Sequence, residues 1–294
     1  MSTAATERDR ARFRQVLKYI DAHLDEDLAV ERLSRVAALS KYHFHRQFTV
    51  RFGIGVARYV QLSRLKRASY QLAFRALSPI IALACASGYE GPEAFARAFK
   101  KTTGQSPSAF RQAPQWEAWH AAYQPLNTVR IYHMTPAYRA DQVRIVDFPE
   151  TRVAVLAHRG DPKHIGASIR QFIEWRRHNH LSPAVSATFN IVYDDPEDTD
   201  PDAYRLDLCA AVDHPVAPNP FGVVAKTLPA GRCAVLRHIG SDAHLRDTVT
   251  YLYADWLPGS GETLREFPLY FQRVRLFPDV PECEAVTDVF LPLE

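Results

Sequence analysis

The chain has 294 residues, of which 47% are hydrophobic and 23% charged, with a net charge of +3. It is long enough for two or three domains. The cysteines contain no CxxC pair, which argues against a zinc site or a disulfide framework and favours a reducing compartment. The first residues are polar, and the longest purely apolar run, Ile80–Ala86, is too short to cross a bilayer. We therefore expect a soluble, cytoplasmic protein without a membrane partner.

Charge is divided unevenly along the chain. Residues 1–113 contain 19 Lys and Arg against 9 Asp and Glu, whereas residues 114–294 contain 17 against 24. A basic half joined to an acidic half indicates a polyanionic partner for the first half only. The alternative is a basic surface that serves solubility alone.

Residues 8–113 are predicted to be almost entirely helical. Apolar residues at helical spacing between Phe13 and Leu24 predict a first helix with these side chains facing inward. A short helix is predicted over Leu28–Ala38. Ser40 is the predicted N-cap of the next helix, and Gly53 ends it. The pattern then predicts a long amphipathic helix over Arg58–Ala76. A second short pair follows, so the outline is helix–turn–helix, long connecting helix, helix–turn–helix.

The segment Ser40–Gly53 returns in degraded form at Glu90–Gly104, at an offset of 51 residues. Phe44 meets Phe95, and Arg46 meets Arg97. Phenylalanines at positions i and i+4 share one face of a helix, while the arginine between them points elsewhere. Short helices with a buried back and a basic outer face suit reading of the DNA major groove. The sequence thus predicts two such helices.

Residues 114–140 are predicted to be a partly packed linker, and a different period begins at Asp141. Strand-like runs flank a helix over His164–His178, and this unit is repeated at an offset of 80 residues. The repeat has eight identities, among them His158 with His238 and Gly160 with Gly240. We predict an α+β domain over 141–294 made of a duplicated β-α-β-β unit. Its halves are expected to share one mixed sheet with the helices on one side and a pocket between the halves.

The first half resembles the AraC/XylS family of transcription regulators over about residues 10–112. The motifs that carry the resemblance are LAVERLSRVAALSKYHFHRQFTVRFG and IIALACASGYEGPEAFARAFKKTTGQSPSAFR. The resemblance implies double-stranded DNA as partner, with the second helix of each unit in the major groove. The residues expected at the DNA are Ser40, Lys41, Tyr42, His45, Arg46, Glu93, Ala96, Arg97 and Lys100. The alternative for Arg46 and Arg97 is an ion-pair or capping role that positions the unit.

The second half resembles GyrI-like effector-binding domains over about residues 141–294, through LPAGRCAVLRHIG, YLYADWLPGSG and TDVFLPL. The resemblance implies a small, often aromatic or cationic effector held between the two halves. The residues expected around it are Trp175, Tyr253, Trp256, Tyr270 and Gln272, although ordinary packing is an equal alternative for the aromatic ones. Gln272 stands where the family usually has a glutamate. A neutral amide gives a cation no charge attraction, which favours a neutral effector.

The leading hypothesis is therefore a ligand-responsive transcription regulator that biases the engagement of DNA or RNA polymerase. We expect no catalytic residue, metal or cofactor. Gln272 cannot serve as a hydrolytic base, and His43 and His45 point in different directions from a helix. The alternatives are a small-molecule hydrolase or a protein-inhibitor module, with the DNA-binding unit as a tether.

Overall fold

The computed structural model describes residues 3–75, 77–133 and 137–294. It divides into two units by internal contacts. The helical unit comprises Met1–Thr135 together with Phe277–Glu284, and the sheet unit comprises Pro136–Leu276 together with Ala285–Glu294. The chain therefore passes between the units three times. No described helix is both long and apolar enough to cross a membrane.

Eight α-helices form the body of the helical unit. Their bounds are α1 Thr3–Ala22, α2 Val30–Val36, α3 Lys41–Phe52, α4 Val56–Phe74, α5 Ile80–Ala86, α6 Pro92–Thr103, α7 Pro107–Gln112 and α8 Trp116–His133. The predicted pair of helix–turn–helix units joined by a long helix is confirmed. The connecting helix α4 begins and ends two residues earlier than predicted. Leu77 lies past its end and is 93% exposed.

Aromatic rings fill the core behind each predicted reading helix. On α3, Phe44 and Phe48 are fully buried and both contact the ring of Phe13 on α1. On α6, Phe95 and Phe99 are equally buried, and Phe99 packs edge-on against Phe110. Burial of each ring stabilises the fold by roughly 2–3 kcal/mol. The repeated phenylalanine pair therefore has the structural role that its spacing predicts.

The stretch predicted as a linker differs from the prediction. Most of it is α8, an 18-residue helix that belongs to the helical unit. Its Trp119, Tyr123, Leu126 and Val129 lie in the same buried core as α1 and α4. Because these apolar side chains recur at helical spacing, they drive the segment to pack as a helix. Pro125 lies inside this helix, and residues 134–136 fall outside the described chain.

The sheet unit contains one eight-stranded sheet. Its strands are β1 Arg144–Phe148, β2 Thr151–Arg159, β3 Thr188–Val192, β4 Arg205–Ala211, β5 Val224–Leu228, β6 Gly231–Ile239, β7 Tyr270–Arg275 and β8 Val286–Pro292. The order is β1-β6-β8-β7-β3-β4-β2-β5, and every pairing between these strands is antiparallel. The duplicated α+β fold is confirmed, but the predicted mixed sheet is wrong.

The antiparallel arrangement follows from an exchange of strands between the repeats. β1 of the first repeat pairs with β6 of the second, and β5 of the second pairs with β2 of the first. Only Pro149 and Glu150 separate β1, at one edge, from β2, next to the other edge. A connection of this length spans about 11 Å at most. The sheet must therefore curl until its two edges approach each other.

The two faces of the curled sheet carry different cores. One face is covered by α9 (Ile165–His178) and by α10 (Leu245–Thr250), which continues through a π-helical turn at Tyr251–Trp256 into α11 (Leu257–Ser260). We call the other side the concave face. Its buried cluster includes Val155, Phe189, Tyr270 and Phe290 from both repeats. The prediction that both helices lie on one side is thus correct.

Candidate DNA interface and effector-binding face

The outer side of α3 is a continuous exposed stripe. Its members recur at helical spacing and are Tyr42, His45, Arg46, Thr49 and Val50. Tyr42 is 76% exposed and Val50 81%. The stripe combines three polar side chains with an aromatic ring and an aliphatic side chain, which can contact base edges and thymine methyl groups.

Three cations of α3, Lys41, Arg46 and Arg51, differ in whether they have partners within the protein. Arg46 makes no hydrogen bond or ion pair within the part of the chain that the structure describes. Lys41 instead lies 3.7 Å from Glu31 and 5.3 Å from the centre of the Tyr42 ring. Arg51 is fixed by Asp9 at 2.6 Å. Of these three cations, Arg46 is the one whose guanidinium is left for an external partner.

The corresponding stripe of α6 is less well equipped. It consists of Glu93, Ala96, Arg97, Lys100 and Lys101. The side chains of Arg97 and Lys100 likewise have no partner among the described residues. Ala96 is half-buried and has no hydrogen-bonding side chain. This stripe can therefore supply positive charge but only one forked donor, at Arg97.

Both reading helices have well-defined ends. The Ser40 hydroxyl accepts a hydrogen bond from the His43 amide at 3.4 Å and caps α3. Pro92 occupies the first turn of α6, where no amide hydrogen is needed. Gly53 and Gly104 then end the two helices with positive φ values of 67° and 79°. Ser40, predicted at the DNA, thus has a capping role.

At the centre of the concave face, the two halves of the sheet unit meet along β3 and β7. Gln272 of β7 lies opposite Phe189 of β3 on one side and opposite Asp288 of β8 on the other. Tyr270, two residues earlier, lies opposite Ile191 and Phe290. Because side chains alternate along a strand, all six project from the same face. Gln272 is half-buried there, whereas Tyr270 is fully buried.

Tyr270 is the hub of the aromatic cluster on this face. Its ring stacks on Phe290 at 4.9 Å and meets Phe148 edge-on at 5.2 Å. Its hydroxyl lies 3.4 Å from Sγ of Cys233. Burial raises the pKa of the Tyr270 hydroxyl and of the Cys233 thiol, so both groups are neutral at pH 7. The centre of the concave face is therefore aromatic and uncharged.

Two carboxylates flank this aromatic centre, and both are paired internally. Asp207 accepts from Lys226 at 2.6 Å, from the Tyr193 hydroxyl at 2.9 Å and from Arg159 at 3.0 Å. Although burial opposes ionisation, hydrogen bonds from Lys226 and Tyr193 hold the pKa of Asp207 below its usual value. Arg237 donates two hydrogen bonds of 2.7 Å to the carboxylate of Asp288. Neither carboxylate is left to attract a cationic ligand.

The structure separates the five residues predicted around the effector. Tyr270 and Gln272 share the concave face. Trp175 is buried under α9 on the opposite face, stacked on Phe172 at 5.8 Å. Trp256 packs in the cluster under α10, and Tyr253 of the π-helical turn is 39% exposed. Trp175 and Trp256 thus pack against the helices, as the alternative to effector contact predicted.

Sequence reasoning missed the paired carboxylates. Asp207 faces Ala157 in the sheet, and Asp288 faces Arg237, which is the residue equivalent to Ala157 at the offset of 80. Asp207 and Asp288 are therefore equivalent as well, but at an offset of 81. The extra residue lies between the helix and the last strand of the second repeat. A search at one fixed offset could not find this pair, and a search allowing one insertion would have.

Side chains suited to metal or thiol chemistry are not assembled in the described chain. No group of three or more His, Cys, Asp or Glu residues there could hold a metal ion. Cys209 is buried, and burial raises the pKa of its thiol. Burial likewise raises the pKa of Cys283 to about 11. Neither thiol is activated as a nucleophile.

Comparison with known proteins agrees with this division of the chain. Residues 141–294 match the family model described as a GyrI-like small molecule binding domain, and residues 33–113 match a helix-turn-helix domain. The probable transcriptional regulator YgiV of Escherichia coli K12 is 41% identical over 152 residues, which are 51% of this chain and 95% of that protein. The right origin-binding protein of the same strain is 31% identical over 106 residues, 36% of each chain. The crystal structure of the EcmrR C-terminal domain is 18% identical with a TM-score of 0.43, covering 52% of this chain and 97% of that one.

Fold and site together define a DNA-binding transcription regulator that carries a small-molecule binding domain. The chain belongs to the family of the GyrI-like small molecule binding domain, here joined to an AraC-type helix-turn-helix domain. Both resemblances predicted from the sequence are thereby confirmed. The alternatives of a hydrolase or an inhibitor module are not favoured.

Proposed function

We propose that the chain reads two successive segments of the major groove with α3 and α6 and that α3 provides most of the sequence discrimination. Tyr42, His45 and Arg46 contact base edges, and Arg97 is the one base contact of α6. Lys41, Glu93, Ala96 and Lys100 lie beside the backbone, where cations anchor phosphates and the remainder provide shape. Ser40 positions α3 by capping it.

The observation that carries this proposal is that Arg46 has no partner among the described residues and lies on the exposed side of α3. The opposite side of this helix holds the fully buried pair Phe44 and Phe48. The ion-pair alternative requires an acidic partner, and the described chain offers Arg46 none. An arginine free to present its fork can form two parallel hydrogen bonds to a guanine edge. Arg51, which has an acidic partner in Asp9, is better suited to holding α3 in place.

We also propose that the effector is a neutral aromatic molecule bound on the concave face beside Tyr270 and Gln272. The two nearby carboxylates are neutralised by their own cations. The amide of Gln272 can donate and accept hydrogen bonds without contributing charge. Tyr253, the exposed aromatic residue of the predicted set, belongs to the helices that cover the other face of the sheet and is not part of this proposed contact. RNA polymerase is a further proposed partner, and the cytoplasm is the proposed site of action.

The chain is proposed to act by binding alone. The side chain that occupies the centre of the concave face is an amide, which cannot abstract a proton. His158 and His238 are buried, and burial lowers the pKa of both imidazoles. His238 is held by Tyr138, Thr248 and the Ser241 carbonyl, each at 3.0 Å. A histidine held in this way supports the strand rather than reacting with substrate.

A paired titration tests the proposed function. The full chain is titrated with a duplex that it selects from random DNA, and separately with the neutral fluorophore N-phenyl-1-naphthylamine and the cation tetraphenylphosphonium. We expect a duplex affinity well above that for scrambled DNA, and binding of the neutral probe but not of the cation. Equal affinity for scrambled DNA would refute the DNA-reading assignment. Preference for the cation would refute the neutral effector.

A further inference from the structure

The segment that joins β7 to β8 does not belong to the unit that these strands build. Residues 277–284 group with the helical unit, while 270–276 and 285–294 group with the sheet unit. A hairpin connection between adjacent strands commonly lies against its own sheet. Here the chain leaves the sheet unit after Leu276 and returns at Ala285, having contributed one segment to the helical core.

Glu282 of this segment completes a buried network of charges. Its carboxylate accepts from Lys66 of α4 at 2.9 Å and lies 3.4 Å from Nη1 of Arg130 on α8. Arg130 in turn holds Asp21 of α1 with two bonds of 2.9 and 2.6 Å. All four side chains are at most 10% exposed. These four described side chains are two cations and two anions, and Glu282 alone among the four lies outside helices α1 to α8, in a 3-10 turn at Glu282–Glu284.

Two further contacts fix the segment to α4. Asp279 pairs with Arg75 at the end of α4 through both carboxylate oxygens, with Nε to Oδ1 at 2.9 Å. The ring of Phe277 meets Tyr70 edge-on at 4.9 Å. Lys66, Tyr70 and Arg75 therefore attach the segment along the second half of this helix.

The attached helix is the element that connects the two DNA-reading units. α3 precedes it directly, and α5 and α6 follow it. Withdrawal of Glu282 would remove a carboxylate from both Lys66 and Arg130 and so weaken the compensation of two buried cations. Because uncompensated buried charge is strongly unfavourable, the segment has a well-defined attached state. A displacement of either end of the segment should therefore displace α4 as well.

The strands at either end of the segment carry the proposed effector contacts. Tyr270 and Gln272 lie on β7, and Asp288 lies on β8. Gln272 lies five residues before Phe277, and Asp288 lies four residues after Glu284. A ligand that moves these strands pulls directly, through the covalent chain, on a piece of the helical core.

We propose that Phe277–Glu284 is the coupling element by which occupation of the concave face changes DNA reading. This inference rests on the proposed function and specifies how that function is regulated. Effector binding changes the position of β7 and β8, the segment transmits the change to α4, and α4 alters the presentation of α3 and α6. By linkage, DNA binding must affect β7 and β8 through the same segment.

Hydrogen–deuterium exchange of the full chain, with and without the selected duplex, tests the coupling without a known effector. In the wild-type chain, we expect the duplex to change exchange at the amides of β7 and β8 as well as in α3 and α6. Asp279→Asn, which releases Arg75 at the surface, should diminish the change in the strands. Asp194→Asn is the matched control, because it breaks a comparable bidentate ion pair outside the segment, in which Arg205 donates two hydrogen bonds of 2.9 Å. This variant should leave the change in the strands unaltered.

A second variant removes the mechanical link while keeping every contact. Two glycines inserted after Leu276 and two after Glu284 should preserve duplex affinity but abolish the response of β7 and β8. Retention of the full strand response in this variant, or no response in the wild-type chain that binds the duplex, would overturn the coupling alone. A wild-type chain that selects no duplex would overturn the proposed function and the coupling with it.

Discussion

At the scale of single residues, the account depends on which exposed side chains are free and which are engaged. Arg46 and Arg51 are both cations on α3, yet among the described residues only Arg51 has an acidic partner. Gln272 and Asp288 are neighbours on the concave face, yet the charge of Asp288 is satisfied by Arg237. Sequence spacing placed these residues on their helices and strands. It could not show their partners, because Asp9 lies 42 residues from Arg51 and Arg237 lies 51 from Asp288.

Arg46 should contribute base recognition rather than charge alone. We expect Arg46→Ala to weaken binding to the selected duplex by about 1–3 kcal/mol and to lower discrimination against scrambled DNA. Arg46→Lys should keep the charge but lose the forked contact, so it should recover nonspecific binding only. Gln47→Ala, off the stripe, is the control. Mobility-shift titrations at one salt concentration measure all three, and full discrimination by Arg46→Lys would contradict the base contact.

Gln272 should determine the charge of the bound molecule. We expect Gln272→Glu to create an unpaired carboxylate on the concave face and so to improve binding of tetraphenylphosphonium while weakening that of the neutral probe. Gln272→Met, of similar volume and without charge, is the matched control and should not bind the cation. Fluorescence and calorimetric titrations give both affinities. If both variants bind the cation equally, charge at this position is not decisive.

The buried histidines should make stability fall in mild acid. Burial lowers the pKa of His158 and His238 in the folded chain, whereas the unfolded chain binds protons below about pH 6.5. Their contribution is therefore complete above pH 6.5 and is lost as the pH falls from there through the folded pKa. Urea midpoints at pH 7.5 and 5.5 should show a smaller decrease for His238→Gln than for the wild-type chain. The exposed His178→Gln should behave like the wild type.

At the scale of elements, the sequence predicted most of what local periodicity controls. The paired helix–turn–helix units and the repeated strand–helix unit followed from spacing and from two internal repeats. The exchange of β1 and β5 between repeats did not, because strand pairing is set by contacts far apart in sequence. The helix α8 is a different case, because its buried side chains recur at helical spacing although the segment was predicted to be a linker.

The charge network predicts an asymmetry between single and double substitutions. Glu282→Gln leaves two buried cations against one carboxylate, and we expect it to lower the free energy of unfolding by about 3–5 kcal/mol. Lys66→Met combined with Glu282→Leu keeps the pair of Asp21 and Arg130. We expect this double variant to lower the free energy of unfolding by clearly less. Urea unfolding of the full chain decides between the two. A double variant less stable than Glu282→Gln would show that the network is not governed by charge balance.

At the scale of the whole molecule, one chain contains both helices proposed to read DNA, so under the proposed function DNA binding does not require a second copy. The basic charge of residues 1–113 and the net acidic charge of the remainder fit a division between DNA and a small molecule. Charge indicated a polyanionic partner for the first half, and the resemblance of the second half to GyrI-like domains implied the small molecule. It did not indicate that residues 277–284, near the C-terminus, complete the core of the DNA-binding unit.

The most direct test of the central claim is the site that the full chain selects from random duplex DNA, compared with the sites selected by Arg46→Ala and Arg97→Ala. We predict one chain per duplex and two conserved segments about one helical turn (~34 Å) apart. Arg46→Ala should lose most of the total sequence preference, in the segment read by α3, whereas Arg97→Ala should lose only the weaker preference in the segment read by α6. A palindromic site bound by two chains, or an unchanged site for Arg46→Ala, would contradict the claim that a single chain reads DNA mainly through α3.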